Sequence, residues 1–165
     1  MKKNSNLTIV AIVLSIAIIV VGVLLIVKNF GDPQLSLGNA KGLTGDTVEI
    51  PIVLDNNPGI FGGQIIIDYD SDNFSFVSIT NGGIFDFCES NDTGDSVAVL
   101  AYTISDKAKL ENTDQDGAVA KLQFKIKTSA TKGEHKIKIN STTNFCNAKE
   151  EIVELAFVDG TITVK

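Results

Sequence analysis

The chain has 165 residues, room for one domain of ordinary size rather than two. Its formal net charge is −6 at pH 7, with 20 acidic residues against 14 basic ones, and every basic residue is a lysine. An acidic chain without arginine lacks the basic face that phosphate neutralisation requires, which argues against nucleic-acid binding. The hydrophobic share of 44% conceals two unlike parts.

Residues 1–6 carry Lys2 and Lys3 and read as a cytoplasmic N-terminus. Residues 7–27, LTIVAIVLSIAIIVVGVLLIV, contain no charge, Asn, Gln or Pro. At about 1.5 Å per residue they cover roughly 30 Å, the thickness of a bilayer's hydrocarbon core. Backbone groups in lipid must be satisfied internally, so a transmembrane signal-anchor helix is expected. The alternative is a cleaved secretory signal peptide, whose apolar region usually runs about 7–15 residues and ends in a small-residue cleavage site. This run is longer and ends Val-Leu-Leu-Ile-Val-Lys-Asn-Phe, without such a site. Lys2, Lys3 and the amino terminus outweigh Lys28, which places the rest of the chain on the extracytoplasmic side, at the cell surface. Residues 28–33 form a short linker of at most roughly 20 Å, so the module beyond it should sit close to the membrane. Everything after Lys28 carries 11 lysines against 20 acids, a net charge of −9.

Residues 34–165 show short alternating or apolar runs punctuated every eight to twelve residues or so by Gly, Asn and Asp clusters, the pattern of an all-β sandwich or barrel. The expected strands are Gln34–Leu37, Thr47–Asp55, Gly62–Tyr69, Phe74–Ile79, Phe85–Asn91, Val97–Ser105, Ala118–Thr128, His135–Asn140 and Glu154–Val164, the last broken at Asp159-Gly160. In the seventh run Leu122, Phe124 and Ile126 alternate with Lys121, Gln123, Lys125 and Lys127, one buried face and one wet face. Lys136-Ile137-Lys138-Ile139 repeats the pattern.

Two runs break it, being apolar on both faces. In Gln64–Tyr69, placing Ile65, Ile67 and Tyr69 inward leaves Gln64, Ile66 and Asp68 outward. In Val97–Ile104, placing Ala98, Leu100 and Tyr102 inward leaves Val97, Val99, Ala101 and Thr103 outward. These are either central strands, where β-branched residues are favoured even when partly exposed, or an apolar stripe marking an interaction surface.

Four segments resemble cohesin modules, the receptors of cellulosome scaffoldins. Gly45-Asp46-Thr47-Val48-Glu49-Ile50-Pro51-Ile52 looks like the family's opening turn and Pro-containing strand. Asn57-Pro58-Gly59-Ile60 with Gly63-Gln64 and Asp68-Tyr69-Asp70 resembles its third strand and Tyr-Asp exit. Asp116-Gly117-Ala118-Val119-Ala120-Lys121-Leu122 resembles its Asp-Gly turn, and Phe157–Val164 its last strand. The resemblance implies a nine-stranded, two-sheet β-sandwich of jelly-roll topology. It also implies a binding activity without catalysis: docking a dockerin, a small calcium-loaded helical module on another protein, as in assemblies for polysaccharide degradation. Calcium is then expected on the partner and no cofactor on this chain.

By position, the family's docking face would comprise Gly62, Gln64 and Ile66 from the third strand, Ser90 and Asp92 from the fifth, Val99, Ala101 and Thr103 from the sixth, and Ser105 and Asp106 after it. Gly62 and Gln64 stand where many cohesins present Asn and Asp, and Ile104 or Ser105 replaces a frequent Glu, which leaves the class of dockerin open. In that arrangement Cys88 and Cys146 occupy opposite edges of one sheet, roughly 14 Å apart at about 4.8 Å per strand, beyond the ~7 Å a disulfide tolerates. Free thiols are expected.

Other constellations carry less. Asn112-x-Asp114-x-Asp116-Gly117 with Gln123 imitates a calcium loop but lacks its first Asp and closing Glu, and Asp68-x-Asp70-x-Asp72 has Asn73 where such a loop needs Gly. Acidic turns without a metal are expected at both, with a weak surface calcium site as the alternative. The single histidine, His135, reads as solvated at a strand entry, which leaves no Ser-His or Cys-His pair. The alternative function is a carbohydrate-binding sandwich. It is disfavoured by the absence of Trp and by two tyrosines, Tyr69 and Tyr102, both assigned to the core.

Overall fold

The computed structural model describes residues 31–103 and 114–165. The expected membrane helix over residues 7–27 lies outside them, as do Ser105, Asp106 and Asn112. Among the described residues no helix is long and apolar enough to cross a membrane.

Asp32–Lys165 is an all-β unit. Its strands are β1 (Gln34–Leu37), β2 (Asn39–Gly42), β3 (Thr47–Asp55), β4 (Ile60–Asp68), β5 (Phe74–Asn81), β6 (Phe87–Asp92) and β7 (Ser96–Tyr102). These are followed by β8 (Gly117–Ile126), β9 (Gly133–Ile139), β10 (Asn144–Asn147), β11 (Ile152–Val153), β12 (Ala156–Val158) and β13 (Gly160–Val164). Nine expected runs therefore become thirteen strands among the described residues. The break at Asp159-Gly160 is present, whereas β2, β10 and β11 are additional. Each of the three is short and β2 and β10 are largely polar; β2 and β10 acquire strand form from distant partners, and β11 from β10 in a local hairpin.

The two sheets pack face to face. One runs β12-β1-β3-β8-β5. In the other, β6 pairs with β7 and β7 with β4. The far edge of β4 is shared. β10 takes Ile60–Gln64 and β9 takes Ile67–Asp68. Between them the Ile66 amide donates to the Thr143 hydroxyl at 2.9 Å and its carbonyl accepts from the Asn140 amide at 2.8 Å. β11 lies beyond β10, while β13 and β2 lie beyond β9.

Alternation builds the core from both sides. Val48, Ile50, Ile52 and Leu54 of β3 and Leu122, Phe124 and Ile126 of β8 are buried, as their spacing predicts. Facing them are Ile65, Ile67, Val97, Val99, Ile137 and Phe145. Phe124 lies 5.1 Å from Tyr69 and 5.9 Å from Phe76 between ring centroids. A bulge at Val77 lets β5 keep Phe76 in register with Phe124 while Val77 turns out to water.

Two segments change sheets at one place. The chain passes from β1 to β2 through Gly38 and from β12 to β13 through Asp159-Gly160. A Cβ on Gly160 would meet the Gly38 carbonyl oxygen at 2.3 Å, and one on Gly38 would meet the Pro51 ring at 2.6 Å. Only bare backbone allows this crossing.

One end of the sandwich is tied by Asn73, which is buried. Its side-chain amide donates to Asp70 Oδ2 at 2.6 Å, and its side-chain oxygen accepts from the Thr131 amide at 2.6 Å. This joins the β4–β5 turn to the β8–β9 turn. His135 belongs to the same cluster. Its Nε2 lies 2.8 Å from the Thr131 carbonyl, its Nδ1 3.5 Å from Asp70, and its ring edge-on to Phe74. The histidine expected in solvent is thus packed, because Phe74 contacts its ring while Thr131 and Asp70 hold its two nitrogens. For Asp70, burial works against the charged form, but hydrogen bonds from the Asn73 side chain, the Asp72 and Asn73 amides and His135 outweigh it and hold the carboxyl below its usual range. A depressed carboxyl pKa contributes stability that is present above the ordinary value and lost as pH falls through the folded one. Asn73→Ala is expected to cost about 2 kcal/mol at neutral pH, with a smaller cost in acid strong enough to protonate Asp70. Denaturant melts at the two conditions measure both.

Candidate functional site

The outer face of β6-β7-β4-β10 is set by register. Ile65 and Ile67 point into the core, and they pair with Val99 and Val97. Residues in register share a face, so Val97, Val99 and Ala101 are also core, each fully buried, and Thr103 is buried with them. This reverses the inward-outward assignment expected for β7. Ala98, Leu100 and Tyr102 face out instead, and Leu100 is 44% exposed.

The outer face then reads in rows across the strands. Phe87, Tyr102, Gly62 and Cys146 form one row. Glu89, Leu100, Gln64 and Asn144 form the next, and Asn91, Ala98 and Ile66 a third. The Phe87 and Tyr102 rings lie 4.9 Å apart between centroids, tilted by 35°. Gly62 makes room for this pair, since a Cβ there would meet Tyr102 Cβ at 2.8 Å. A shallow open depression lies beside them, lined by Gln64, Glu89, Ser90, Asn91, Ala98 and Leu100. Tyr102 is therefore not a core residue, and the two tyrosines have opposite roles.

Of the residues expected on this face, Gly62, Gln64 and Ile66 are on it. Val99, Ala101 and Thr103 are in the core beneath it. Ser90 and Asp92 are in register with Val99 and Val97, on the core side of β6, although Ser90 also lines the depression. Asp92 accepts the Tyr69 hydroxyl at 2.9 Å and the Gly94 amide at 3.0 Å. Ser105 and Asp106 lie outside the described residues. Leu100, Tyr102, Phe87 and Glu89 are not singled out by the sequence pattern. The signal that locates them is the pairing of β7 with β4, which no local pattern contains.

Neither thiol is in a disulfide. Cys88 and Cys146 lie on β6 and β10, three strand spacings apart, as the family resemblance implies. Burial pushes the Cys88 thiol up to about 11.

Among the described residues no group of His, Cys, Asp and Glu could hold a metal. The two calcium-like turns have structural roles. Asp116 accepts the Asn57 amide at 2.8 Å and so staples the β3–β4 loop, where Asn57 Oδ1 in turn accepts the Gly59 and Ile60 amides. Asp68 accepts from Asn140 at 2.8 Å and Asp70 from Asn73.

A family model described as "Cohesin domain" matches residues 33–164. The chain is 28% identical over 133 residues to Cellulose-binding protein A of Clostridium cellulovorans, covering 78% of this chain and 7% of that protein. It is 24% identical over 149 residues to the Cellulosome-anchoring protein of Acetivibrio thermocellus, covering 79% of this chain and 33% of that protein. The chain thus spans a third or less of these relatives. Among solved structures, a chain of the Coh-OlpA-Doc918 complex, a type I cohesin–dockerin complex from Clostridium thermocellum, has a TM-score of 0.73 at 22% identity, covering 82% of this chain and all of that one. A non-cellulosomal cohesin from Archaeoglobus fulgidus has a TM-score of 0.69 at 14% identity, covering 82% of this chain and 92% of that one. At these identities the shared property is the fold.

Two outcomes are expected from the face as built. Val99→Asp and Ala101→Asp bury an unpaired charge and should cost several kcal/mol, while Leu100→Asp should leave thermal stability nearly unchanged. Equal melting temperatures for Val99→Asp and wild type would refute the register argument. Separately, burial, the hydrogen bond to Asp92 and that carboxylate's charge push the Tyr69 phenol up to about 12 from 10.0. A raised phenol pKa contributes stability that is complete below the ordinary value and lost as pH climbs through the folded one. Alkaline unfolding should therefore steepen between those values and be flattened in Tyr69→Phe, as read by tyrosinate absorbance and melting.

Proposed function

The chain belongs to the cohesin family, whose members are non-catalytic protein-binding modules, and we propose that it docks the dockerin of a partner protein through the outer face of β6-β7-β4-β10. The observation that carries this reading is the Phe87–Tyr102–Leu100 cluster, an apolar centre on a sheet face whose described rows carry one charged side chain, Glu89. Aromatic and aliphatic anchors ringed by polar groups are the usual make-up of an interface core. Gln64, Asn91 and Asn144 supply that ring, and Gly62 and Ile66 complete the surface. The similar structures support the reading because several hold a cohesin together with a dockerin.

In this reading the site needs no cofactor on this chain, and any calcium belongs to the dockerin. The hydrophobic run at residues 7–27 supplies a single-pass anchor with a cytoplasmic N-terminus, which presents the module at the cell surface for assemblies that degrade polysaccharide. The jelly-roll description of the sandwich comes with the same family reading.

A second reading, direct polysaccharide binding, draws on the Phe87–Tyr102 pair being on the outer face. The rings are tilted by 35° and present no single continuous stacking plane, which weighs against it. The full chain in detergent, offered a panel of purified dockerin modules, is expected to capture at least one in calcium and release it on chelation. Leu100→Asp should abolish the capture. Retention on insoluble cellulose with no calcium-dependent partner would favour the second reading.

A further inference from the structure

β10 is not the last strand of the docking sheet. β11 pairs with it antiparallel, Cys146 with Ile152 and Phe145 with Val153. Phe145 is buried and Val153 packs against the core, so Ile152 must point the other way, to the outer face. The first row of that face therefore crosses five strands: Phe87, Tyr102, Gly62, Cys146, Ile152. Ile152 is 76% exposed, more than any other large hydrophobic among the described residues.

The hairpin that presents it is fixed by one residue. Asn147 Oδ1 accepts the Lys149 amide at 2.9 Å and the Glu151 amide at 3.1 Å, while its Nδ2 donates to Glu151 Oε2 at 2.8 Å. Its backbone amide donates to the Glu151 carbonyl at 3.0 Å. Glu150 closes the turn at φ 64, a conformation unfavourable for Glu and held by these bonds. The hairpin therefore holds Ile152 in place before any partner arrives.

Charge on the face is sparse and one-sided. Among the described residues of the three rows, Glu89 is the only charged side chain, and it lies beside Leu100. At the other end the hairpin turn carries Glu150 and Glu151 against Lys149. At about 4.8 Å per strand, Phe87 and Ile152 stand roughly 19 Å apart, a length covered by about 13 residues of helix.

We infer that β11 is the fifth strand of the docking face and that Ile152 is a specificity-determining contact within it. The occupant is an amphipathic helix of the dockerin laid across the strands. Its apolar stripe runs from the Phe87–Tyr102 pair to Ile152, and a lysine or arginine stands opposite Glu89. This rests on the docking reading above and adds to it a second apolar anchor, remote from Leu100.

The test uses the full chain in detergent and a displayed library of dockerin modules in calcium, from which the wild-type chain selects its binders. Ile152→Asp should weaken those binders by about tenfold or more, with an unchanged melting temperature, and Ile152→Leu should retain them. Glu89→Lys should move selection away from dockerins with a basic residue at the matching position. Binding by Ile152→Asp within about twofold of wild type, while Leu100→Asp abolishes it, overturns the fifth-strand inference and leaves the docking reading standing. A change in oligomeric state with dockerin affinity intact would assign Ile152 to contact with a second copy and also overturns it. Recovery of no binder by the wild-type chain overturns the docking reading, and this inference with it.

Discussion

The ladder between β4 and β7 is the constraint on which the rest of the site depends. It pairs seven residues, Gly62–Asp68 with Tyr102–Ser96, without a bulge. Because side chains alternate with a period of two, shifting it by one residue would send Val97, Val99 and Ala101 into water and bring Leu100 and Tyr102 into the core. Two glycines in β4 make the observed register habitable. A Cβ on Gly63 would collide with the Phe145 ring at 2.4 Å, so its absence lets a neighbouring strand fill the core at that point. Gly62, on the opposite face, gives Tyr102 room to approach Phe87. The same pair of small residues thus seats an aromatic inside the sandwich and another outside it.

How much of this is legible in the sequence depends on where the information lies. β3 and β8 alternate strongly, and their buried faces can be read residue by residue. β7 cannot be read in that way, since Val-Ala-Val-Leu-Ala-Tyr is apolar at every position. Size alone suggests that Leu100 and Tyr102 belong inside. Pairing with Ile65 and Ile67 decides otherwise, and that pairing joins strands some thirty residues apart. The short strands β2, β10 and β11 are illegible for a related reason: four residues or fewer carry too little pattern, and β2 further depends on a partner as distant as Val164 is from Gly42. The third, fifth and sixth expected runs do form neighbouring strands of one sheet, and what the pattern misreads is which side of β7 faces outward.

The acidic turns show the same division between composition and context. Asp70 and Asp116 sit in patterns that imitate calcium loops, yet each accepts backbone or side-chain amides that tie its turn to another part of the fold. Those bonds tie turns at the ends of the strands to one another.

The charge distribution assigns separate tasks to reach and retention. The chain after Lys28 carries a net charge of −9, while the outer face is close to neutral. A field of that sign draws basic partners from a distance and raises the rate of encounter, an effect that salt screens over a Debye length of about 8–10 Å. Once contact is made, residence depends on what is desolvated, and on this face that is aromatic and aliphatic surface. In the docking reading proposed above, selectivity falls to the Phe87–Tyr102 pair, Leu100, the lone Glu89 and the side chain carried by β11.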